Sequence, residues 1–402
     1  IGALLFEVFS LNTTADLDAR LFEGNNQSRT YTDTTGESSI TLTNVSGKTT
    51  TELQTQSTFT TAGWDFSNNR TGVDGQWYML RSNAYPVLQI QHTNNIRTLT
   101  QLQLVNIDLT ADYQLMNSID AGATSIWNGG LGFKPIGDSA SADFSGSFDG
   151  QFHTINDLVV NKGIDSDVFA NYYAGLFGKT SNATVKNVGL VGGDIAGYSN
   201  VGGLIGLAVD SIIENTYSSA MVRGQLGSLG GSHGGLVGSN NANISNSYST
   251  GDILSGGIHA GGLVGVNNAS GVITDSYATG DILGYNFVGG LVGRNYGSIS
   301  NAFSTGDVTG TLNVGGLSGE LATGDISVAY ATGHVRSYSG AVGGFLGQIS
   351  GGIIDQVYSV GAVTGGGANG GGLIGSSVGG TVTGSFWDVD TSGKASSAGG
   401  AG

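Results

Sequence analysis

A short apolar phrase between glycines returns about every 28 residues along most of the chain. Residues 234–253 read GGLVGSNNANISNSYSTGDI, and closely similar text follows at 261–282 and 289–308. The phrase begins at Gly175, Gly203, Gly235, Gly262, Gly290, Gly316, Gly344 and Gly372. An aromatic residue keeps the same period at Tyr217, Tyr248, Tyr277, Phe303, Tyr330, Tyr358 and Phe386. Two landmarks in phase indicate a repeat architecture.

The pattern within one repeat predicts short strands. Each repeat is rich in Gly, Ser, Thr, Asn and β-branched residues, which favours strands over helices. Alternate positions of one repeat, separated by serines, are Ile244, Asn246, Tyr248 and Thr250. We expect this set to face inward and the serines to face outward. Because one repeat cannot bury its own apolar face, the repeats must stack on one another.

The fold that follows is all-β, a parallel β-helix (β-solenoid). We expect about eight coils of roughly 28 residues, wound right-handed, with cap coils at the N-terminal end. Equivalent residues would then form columns, one of them aromatic. A second, inward column of amides would comprise Asn215, Asn246, Asp275 and Asn301. A threonine ladder, which could bind ice if it were exposed, is expected to point inward and comprises Thr250, Thr279, Thr305 and Thr332.

Four segments differ in their patterning. Residues 1–47 are rich in Thr and Asn and have no role that the pattern indicates, and residues 48–92 are predicted to be a tail or cap module of a preceding repeat block. Residues 93–160 are predicted to supply the N-terminal cap and first coils, with a short amphipathic helix from about Leu99 to Asn106. Residues 161–402 form the repeat region.

Composition narrows the set of partners. The 402 residues include 30 Asp and Glu against 14 Lys and Arg, a formal net charge of -16, which disfavours nucleic acid and anionic membranes as partners. Cysteine is absent, so disulfides and thiolate metal sites are excluded. No apolar run is long enough to span a bilayer, and we expect no membrane insertion.

The strongest candidate for chemistry is a column of aspartates, Asp252, Asp281 and Asp307, spaced one repeat apart. Clustered carboxylates can act as general acid and base or hold calcium. However, each aspartate follows a glycine in the same turn, where such side chains commonly bond to backbone. We therefore interpret the column as structural and keep the three aspartates only as weak metal candidates. His334 and Ala362 interrupt the column.

No other residue carries a sequence signature of catalysis or of cofactor binding. His233 and His259 are expected in loops, without a carboxylate partner that the sequence can place. The sequence has no phosphate loop or zinc motif. We therefore predict no catalytic residue, no cofactor and no enzymatic activity.

The repeated phrases carry a family resemblance. The eight Gly-Leu-apolar-Gly phrases, with text such as SYSTGDI after them, resemble the GLUG repeats of large bacterial surface proteins. These include filamentous-haemagglutinin-like, two-partner-secreted adhesins. The segments SFWDVDTSGKASSAGG and TTTELQTQSTFTTAGWDF are similar to those that flank such blocks, although their order here is reversed. The resemblance covers about residues 48–402, and we expect residues 1–91 to finish a preceding module.

The resemblance implies a secreted adhesin at the bacterial cell surface, with a glycan or protein of a host, matrix or other cell as its partner. The long loop at residues 218–235 is a candidate contact site, because extra residues in a solenoid are displaced to the surface. An alternative is a structural subunit of an extracellular filament, assembled by end-to-end solenoid contacts. A carbohydrate-active enzyme is a third hypothesis, and it rests on fold analogy alone.

Overall fold

The computed structural model describes residues 29–32, 39–42, 48–66, 77–79, 86–138, 143–162, 173–224, 231–398 and 400–401. The chain divides into two compact units, Ile1–Gln89 and Ile90–Gly402. Strands predominate in both, and the helices are few and short. The predicted boundaries near residues 47, 92 and 160 stay predictions.

The first unit contains small elements around an aromatic cluster. Its antiparallel strand pairs are Arg29–Thr32 with Ser39–Leu42 and Trp77–Tyr78 with Val87–Leu88, and its helices are Thr50–Leu53 and Gln56–Thr60. Phe59 packs against Trp64 with ring centroids 4.8 Å apart, and Trp64 stacks on Trp77 at 4.4 Å. Apolar ring burial therefore supplies the local core of this unit.

The second unit is a parallel β-solenoid of about seven turns, about 28 residues apart, which confirms the predicted all-β class. We number its longest sheet the first, and the second and third sheets contain eight strands each. The second sheet comprises Val159–Asn161, Asp194–Gly197, Met221–Gly224, Ile253–Ser255, Ile282–Leu283, Val308–Gly310, Val335–Ser337 and Val363–Gly365. The third sheet comprises Tyr173–Ala174, Asn200–Gly202, Ser232–Gly234, His259–Gly261, Phe287–Gly289, Val314–Gly315, Val342–Gly343 and Gly370–Gly371.

The first and longest sheet follows the glycine phrase. Its strands in the repeat region are Phe177–Ser181, Thr184–Lys186, Gly189–Val191, Ile205–Glu214, Tyr217–Ser218, Val237–Ser245, Tyr248–Ser249, Val264–Asn267, Val272–Ala278, Val292–Asn295, Ser298–Ser304, Ser318–Leu321, Asp325–Ala331, Leu346–Ile349, Ile353–Ser359, Ile374–Ser377, Thr381–Thr383 and Phe386–Trp387. Each pairs in parallel with its counterpart one coil away, for example Tyr248 opposite Tyr277. Identical side chains are thereby placed next to each other along the solenoid.

A helix lies at the N-terminal end of this unit, as predicted. The α-helix Leu99–Leu104 starts at Thr98, whose side chain accepts from the Gln101 N–H in a capping box. Leu102 and Leu104 are fully buried. The other elements there are the strands Asn95–Ile96, Tyr113–Leu115, Ile119–Asp120, Ser147–Asp149 and Thr154–Asn156 and the 3₁₀ segments Gln89–Gln91, Val105–Ile107 and Gly122–Gly130. The remaining short elements are Gly367–Asn369, Val389–Ser392 and the pair Ser396–Ser397 with Gly400–Ala401.

In the six phrases from Gly203 to Gly344, the first glycine is required because a Cβ would meet both the carbonyl oxygen of the next phrase's first glycine and a small side chain of the same coil. A Cβ on Gly235 would lie 2.1 Å from the Ser249 Oγ, and one on Gly262 would lie 2.8 Å from the Ala278 Cβ. The following Leu236 is fully buried in the core. Glycine against a small residue brings two strands of one coil close together, so the phrase encodes packing.

The predicted alternation is correct up to Ile244 and wrong beyond it. Ile244 is buried, but Ser247 and Ser249 are also buried, whereas Tyr248 is only partly covered and Thr250 is exposed. The cause is Asn246, whose φ of 47° lies in the left-handed region. One left-handed residue turns the strand and reverses which side chains face the core.

The same reversal moves two predicted columns to the outside. The amide column is not inward: Asn246, Asp275 and Asn301 are exposed, and each has a positive φ. The threonine ladder also faces outward, with Thr250 and Thr305 exposed and Thr279 and Thr332 partly exposed. The inward placement that argued against ice binding was therefore wrong.

Candidate functional site: an outward aromatic column and its groove

The aromatic landmarks form a continuous stack on the outer surface of the solenoid. Ring centroids of consecutive members lie 4.7 to 5.1 Å apart, with interplanar angles of 2° to 10°. The stack comprises Tyr217, Tyr248, Tyr277, Phe303, Tyr330 and Tyr358. Tyr358 is 44% exposed, and Phe386, its partner in the next coil, is 70% exposed. The column is therefore confirmed, but it forms a surface and not a core.

The position of Tyr248 between two other rings alters the acidity of its hydroxyl. Burial raises the pKa of the Tyr248 phenol, and the neighbouring Tyr277 and Tyr217 raise it further. At the N-terminal end the Tyr217 ring lies over Gly189, where a Cβ would meet the ring at 2.1 Å. Because the ring faces contact each other, the edges and hydroxyls are the parts that neighbouring molecules can contact.

A column of left-handed residues runs beside the aromatic stack, two residues earlier in each coil. Its members and their φ angles are Asn215 (52°), Asn246 (47°), Asp275 (50°), Asn301 (52°), Val328 (51°) and Gln356 (54°). Asn and Asp adopt this conformation readily, and the Asn215 amide donates to Asn187 Oδ1 at 3.1 Å. Val328 is the exception, because a β-branched residue is strained there, and its side chain is 52% exposed.

A groove of about 390 Å³ lies between these two columns across four coils. One wall is formed by Tyr277, Phe303, Tyr330 and Tyr358, the other by Asp275, Asn301, Val328 and Gln356, and the floor by Ser276, Ala302 and Ala329. Asp275 is the one charged residue that lines the groove. The groove therefore offers aromatic edges, an apolar centre at Phe303 and Val328, and amide and phenol groups at regular spacing.

The three aspartates singled out from the sequence lie outside this groove, and all are exposed. Asp252 Oδ1 accepts from the Asp281 N–H at 3.0 Å, Asp281 Oδ1 from the Asp307 N–H at 2.9 Å, and Asp307 Oδ1 from the His334 N–H at 2.9 Å. Each carboxylate thus stabilises the turn of the next coil. Among the described residues, no group of three or more His, Cys, Asp or Glu is placed to hold a metal ion.

The two histidines expected in loops lie in strands of the third sheet. His233 is fully buried, with Nδ1 2.6 Å from the Ser255 Oγ and with no hydrogen-bond partner for Nε2 in the described part of the chain. Burial lowers the pKa of His233 to about 4. The pKa of His259 is also lowered to about 4, mainly by burial and then by Arg294 and His233. Both side chains are therefore neutral at neutral pH.

An ion pair lies near His259 on the same side of the solenoid. Arg294 Nε is 2.6 Å from Glu320 Oε2, and Glu320 is 4% exposed. The Arg294 guanidinium lies 4.8 Å from the Phe287 ring centroid and 4.9 Å from that of Tyr296. The rings and the carboxylate together hold this cation in place.

A second amide ladder, not expected from the sequence, lies in the interior. Asn240 Nδ2 donates to Asn267 Oδ1 at 2.8 Å, and Asn267 Nδ2 donates to Asn295 Oδ1 at 2.7 Å. All three side chains are fully buried. Their recurrence at the same place in three phrases was the available signal, but three copies do not reveal which way a side chain points.

Part of the candidate contact loop, residues 225–230, lies outside the described residues. None of the helices in the described part of the chain has the length and apolar character of a membrane span.

Comparison with known proteins agrees with the repeat reading. Residues 256–283 and 284–309 match the family model described as the GLUG motif. Halomucin from Haloquadratum walsbyi is 31% identical over 241 residues, which is 50% of this chain but only 2% of halomucin. This chain thus corresponds to a small part of that relative.

A solved structure also matches, at low similarity. It is a Bacteroides ovatus protein provisionally assigned as an immunoglobulin A1 protease, with 18% identity and a TM-score of 0.32, covering 79% of this chain and 87% of its own. A TM-score this low establishes neither a common fold nor a common activity. The residues that match the GLUG motif, 256–309, comprise two consecutive coils of this solenoid.

Proposed function

We propose that this chain is a segment of a secreted cell-surface protein in which the β-solenoid is a stiff rod that attaches the cell to a host, matrix or other cell surface. The GLUG repeats and the match to halomucin support a surface protein. The observation that carries the adhesive role is the outward aromatic column with its groove. Most rings of the column are partly exposed, and Tyr358 and Phe386 at its C-terminal end are exposed. Apolar ring surface in contact with water costs free energy, and a row of such rings is typical of an interaction site.

The proposed mechanism is geometric and includes no catalytic step. Successive coils place similar outward residues at the strand spacing of about 4.8 Å, so a surface partner meets many comparable weak contacts. A stiff parallel solenoid holds these contacts in line, which avoids the entropic cost of ordering them on binding. Avidity along the rod then replaces a single tight site.

The experiment is retention of the purified chain on immobilised polysaccharides and matrix proteins, with protein retained and sugar released measured together. Retention without release is the expected result. Release of sugar would overturn the non-enzymatic part of the proposal, and Asp281→Asn would then test the aspartate column. A chain retained on none of these surfaces would contradict the adhesive role.

A structural filament is the second candidate, favoured by the C-terminal coil. Strand Thr381–Thr383 pairs with Ile353–Ser359 on one side, and no described strand pairs with its other edge. Val378 is 71% exposed and Phe386 is 70% exposed in the same coil. Such an edge can accept a further strand, either from a following coil or from another chain. Concentration-dependent fibres in electron micrographs, abolished by Val382→Pro, would favour this candidate.

A further inference from the structure

The groove beside the aromatic column has a chemistry more specific than general adhesion. Along the solenoid axis its lining is polar in the two end coils, and in the two central coils it pairs an apolar side chain with a polar one, Phe303 with Asn301 and Val328 with Tyr330. Asp275 with Tyr277 and Gln356 with Tyr358 are the polar ends, and Phe303 and Val328 form the apolar centre. A ligand that fits must therefore present both hydroxyl-type hydrogen-bonding groups and C–H surface along an extended chain.

The charge of the groove restricts the ligand further. The whole chain has a formal net charge of -16, and the groove lining contains one carboxylate and no cationic side chain. A polyanion would be repelled by this surface, and a polycation would find a single partner in the groove. The lining therefore favours an uncharged polymer.

The spacing matches a polymer and not a small molecule. The four wall rings of the groove are 4.7 to 5.1 Å apart, so equivalent groups recur along an open channel. An extended β-linked hexose chain repeats at nearly this distance and carries hydroxyls at its edges and C–H groups on its ring faces. Such a chain lying along the axis would place one sugar near each coil.

Val328 is an independent observation that points to a ligand. Five of the six positions in its column carry residues with polar side chains, three of them Asn, which tolerates the left-handed conformation. Val328 pays a conformational cost at φ 51° and places a half-exposed apolar side chain at the centre of the groove wall. Strain of this kind is concentrated at functional sites.

We propose that this groove binds a neutral, extended polysaccharide chain that runs along the solenoid axis. This inference names the ligand of the proposed attachment role and rests on it. The phenols and the Asp275, Asn301 and Gln356 side chains bond to sugar hydroxyls, and Phe303 and Val328 contact sugar C–H surface.

The experiment measures binding of the full chain to β-1,4-glucan oligosaccharides from the disaccharide to the hexasaccharide by calorimetry. In addition, affinity gels measure retardation of the chain by hydroxyethylcellulose, a neutral glucan, and by dextran sulfate as the anionic control. We expect affinity to rise with length and to level off near about four sugars, because the groove spans four coils at about 4.8 Å. Binding only to dextran sulfate, or no binding to glucan, would overturn the proposal.

Two matched variants distinguish the contribution of the groove to glucan binding from that of the aromatic stack as a whole. Tyr358→Ala removes a ring at the end of the stack inside the groove, whereas Tyr217→Ala removes a ring at the opposite end, outside the groove. We expect Tyr358→Ala to weaken glucan binding about tenfold and Tyr217→Ala to leave it unchanged. Equal binding by the two variants would overturn the groove assignment.

Val328→Asn provides the sharpest variant, because stability and binding should change in opposite directions. Asparagine relieves the strain and matches the neighbouring coils, so the unfolding midpoint should rise while glucan affinity falls several-fold. Binding unchanged in Val328→Asn would contradict the role of the apolar centre.

Failure of the groove and failure of the attachment role give different results. A chain retained on matrix proteins or other surfaces, with no response to the groove variants, would leave the attachment role standing and reject this ligand. A chain retained on nothing would reject both.

Discussion

The inner amide ladder and the outer aromatic column reverse the usual rule of burial. Asn240, Asn267 and Asn295 are fully buried, whereas Tyr248 and Tyr358 are partly exposed. Each group is satisfied by its own copy one coil away, through amide hydrogen bonds inside and ring stacking outside. In a solenoid the neighbour along the axis, and not hydrophobicity alone, decides which residue a position accepts.

If the buried ladder is held together by mutual hydrogen bonds, breaking its centre should have the largest effect. Asn267→Ala removes both ladder bonds and leaves Asn295 Oδ1 buried without its donor. We expect a loss on the order of 3 kcal/mol in the free energy of unfolding, measured by urea denaturation.

The control for that measurement is Asn243→Ala, an exposed asparagine of the strand that also carries Asn240. It should cost less than about 0.5 kcal/mol. Similar losses in the two variants would show that the buried ladder contributes no more than a surface amide.

The pH dependence of stability tests a second buried polar group, the imidazole of His233. The pKa of His233 is about 4 in the folded chain, against an ordinary value of 6.5, because burial disfavours the cation. The unfolded chain therefore takes up a proton between pH 6.5 and 4 while the folded chain does not. As the pH is lowered through this window, the free energy of unfolding should fall by up to about 3 kcal/mol. Below pH 4, His233 should cause no further loss.

The measurement is the pH dependence of the unfolding midpoint in wild type, His233→Gln and His334→Gln. His334 is exposed and serves as the control. The slope between pH 6.5 and 4 should diminish in His233→Gln and persist in His334→Gln. The lowered pKa of His259 should leave a residual slope in the first variant.

The sequence predicted the period, the strands and the existence of the columns, because these depend on the spacing of letters. The inward direction predicted for the amide, threonine and aromatic columns is wrong, because the direction depends on one backbone angle. The alternation predicts Asn246 and its equivalents as an inward ladder, although the tolerance of Asn and Asp for positive φ is the signal for a turn. The groove could not be predicted from the sequence for the same reason, since it exists only when the aromatic column faces outward.

On the outer surface, loss of a ring should have a smaller effect than loss of a buried amide. Tyr248 stacks on Tyr217 at 4.9 Å and on Tyr277 at 4.8 Å. We expect Tyr248→Ala to lower the free energy of unfolding by about 1–2 kcal/mol, since two ring contacts are lost. Tyr285→Ala, at an exposed tyrosine outside the column, is the control and should be nearly neutral. A loss in Tyr248→Ala as large as that in Asn267→Ala would contradict the contrast between the two columns.

The smallest effect concerns the hydroxyls of the column. Because the pKa of Tyr248 is raised above its ordinary value of 10, the unfolded chain ionises first as the pH rises, and stability should decline through this range. Tyr248→Phe should keep the stack, as Phe303 does naturally between Tyr277 and Tyr330, and should reduce the alkaline decline. Tyrosinate absorbance and unfolding midpoints at alkaline pH measure the two effects, with Tyr338→Phe as the control at an exposed site. If stability declined as steeply with rising pH in Tyr248→Phe as in the wild type, ionisation of the Tyr248 hydroxyl would not contribute to the decline.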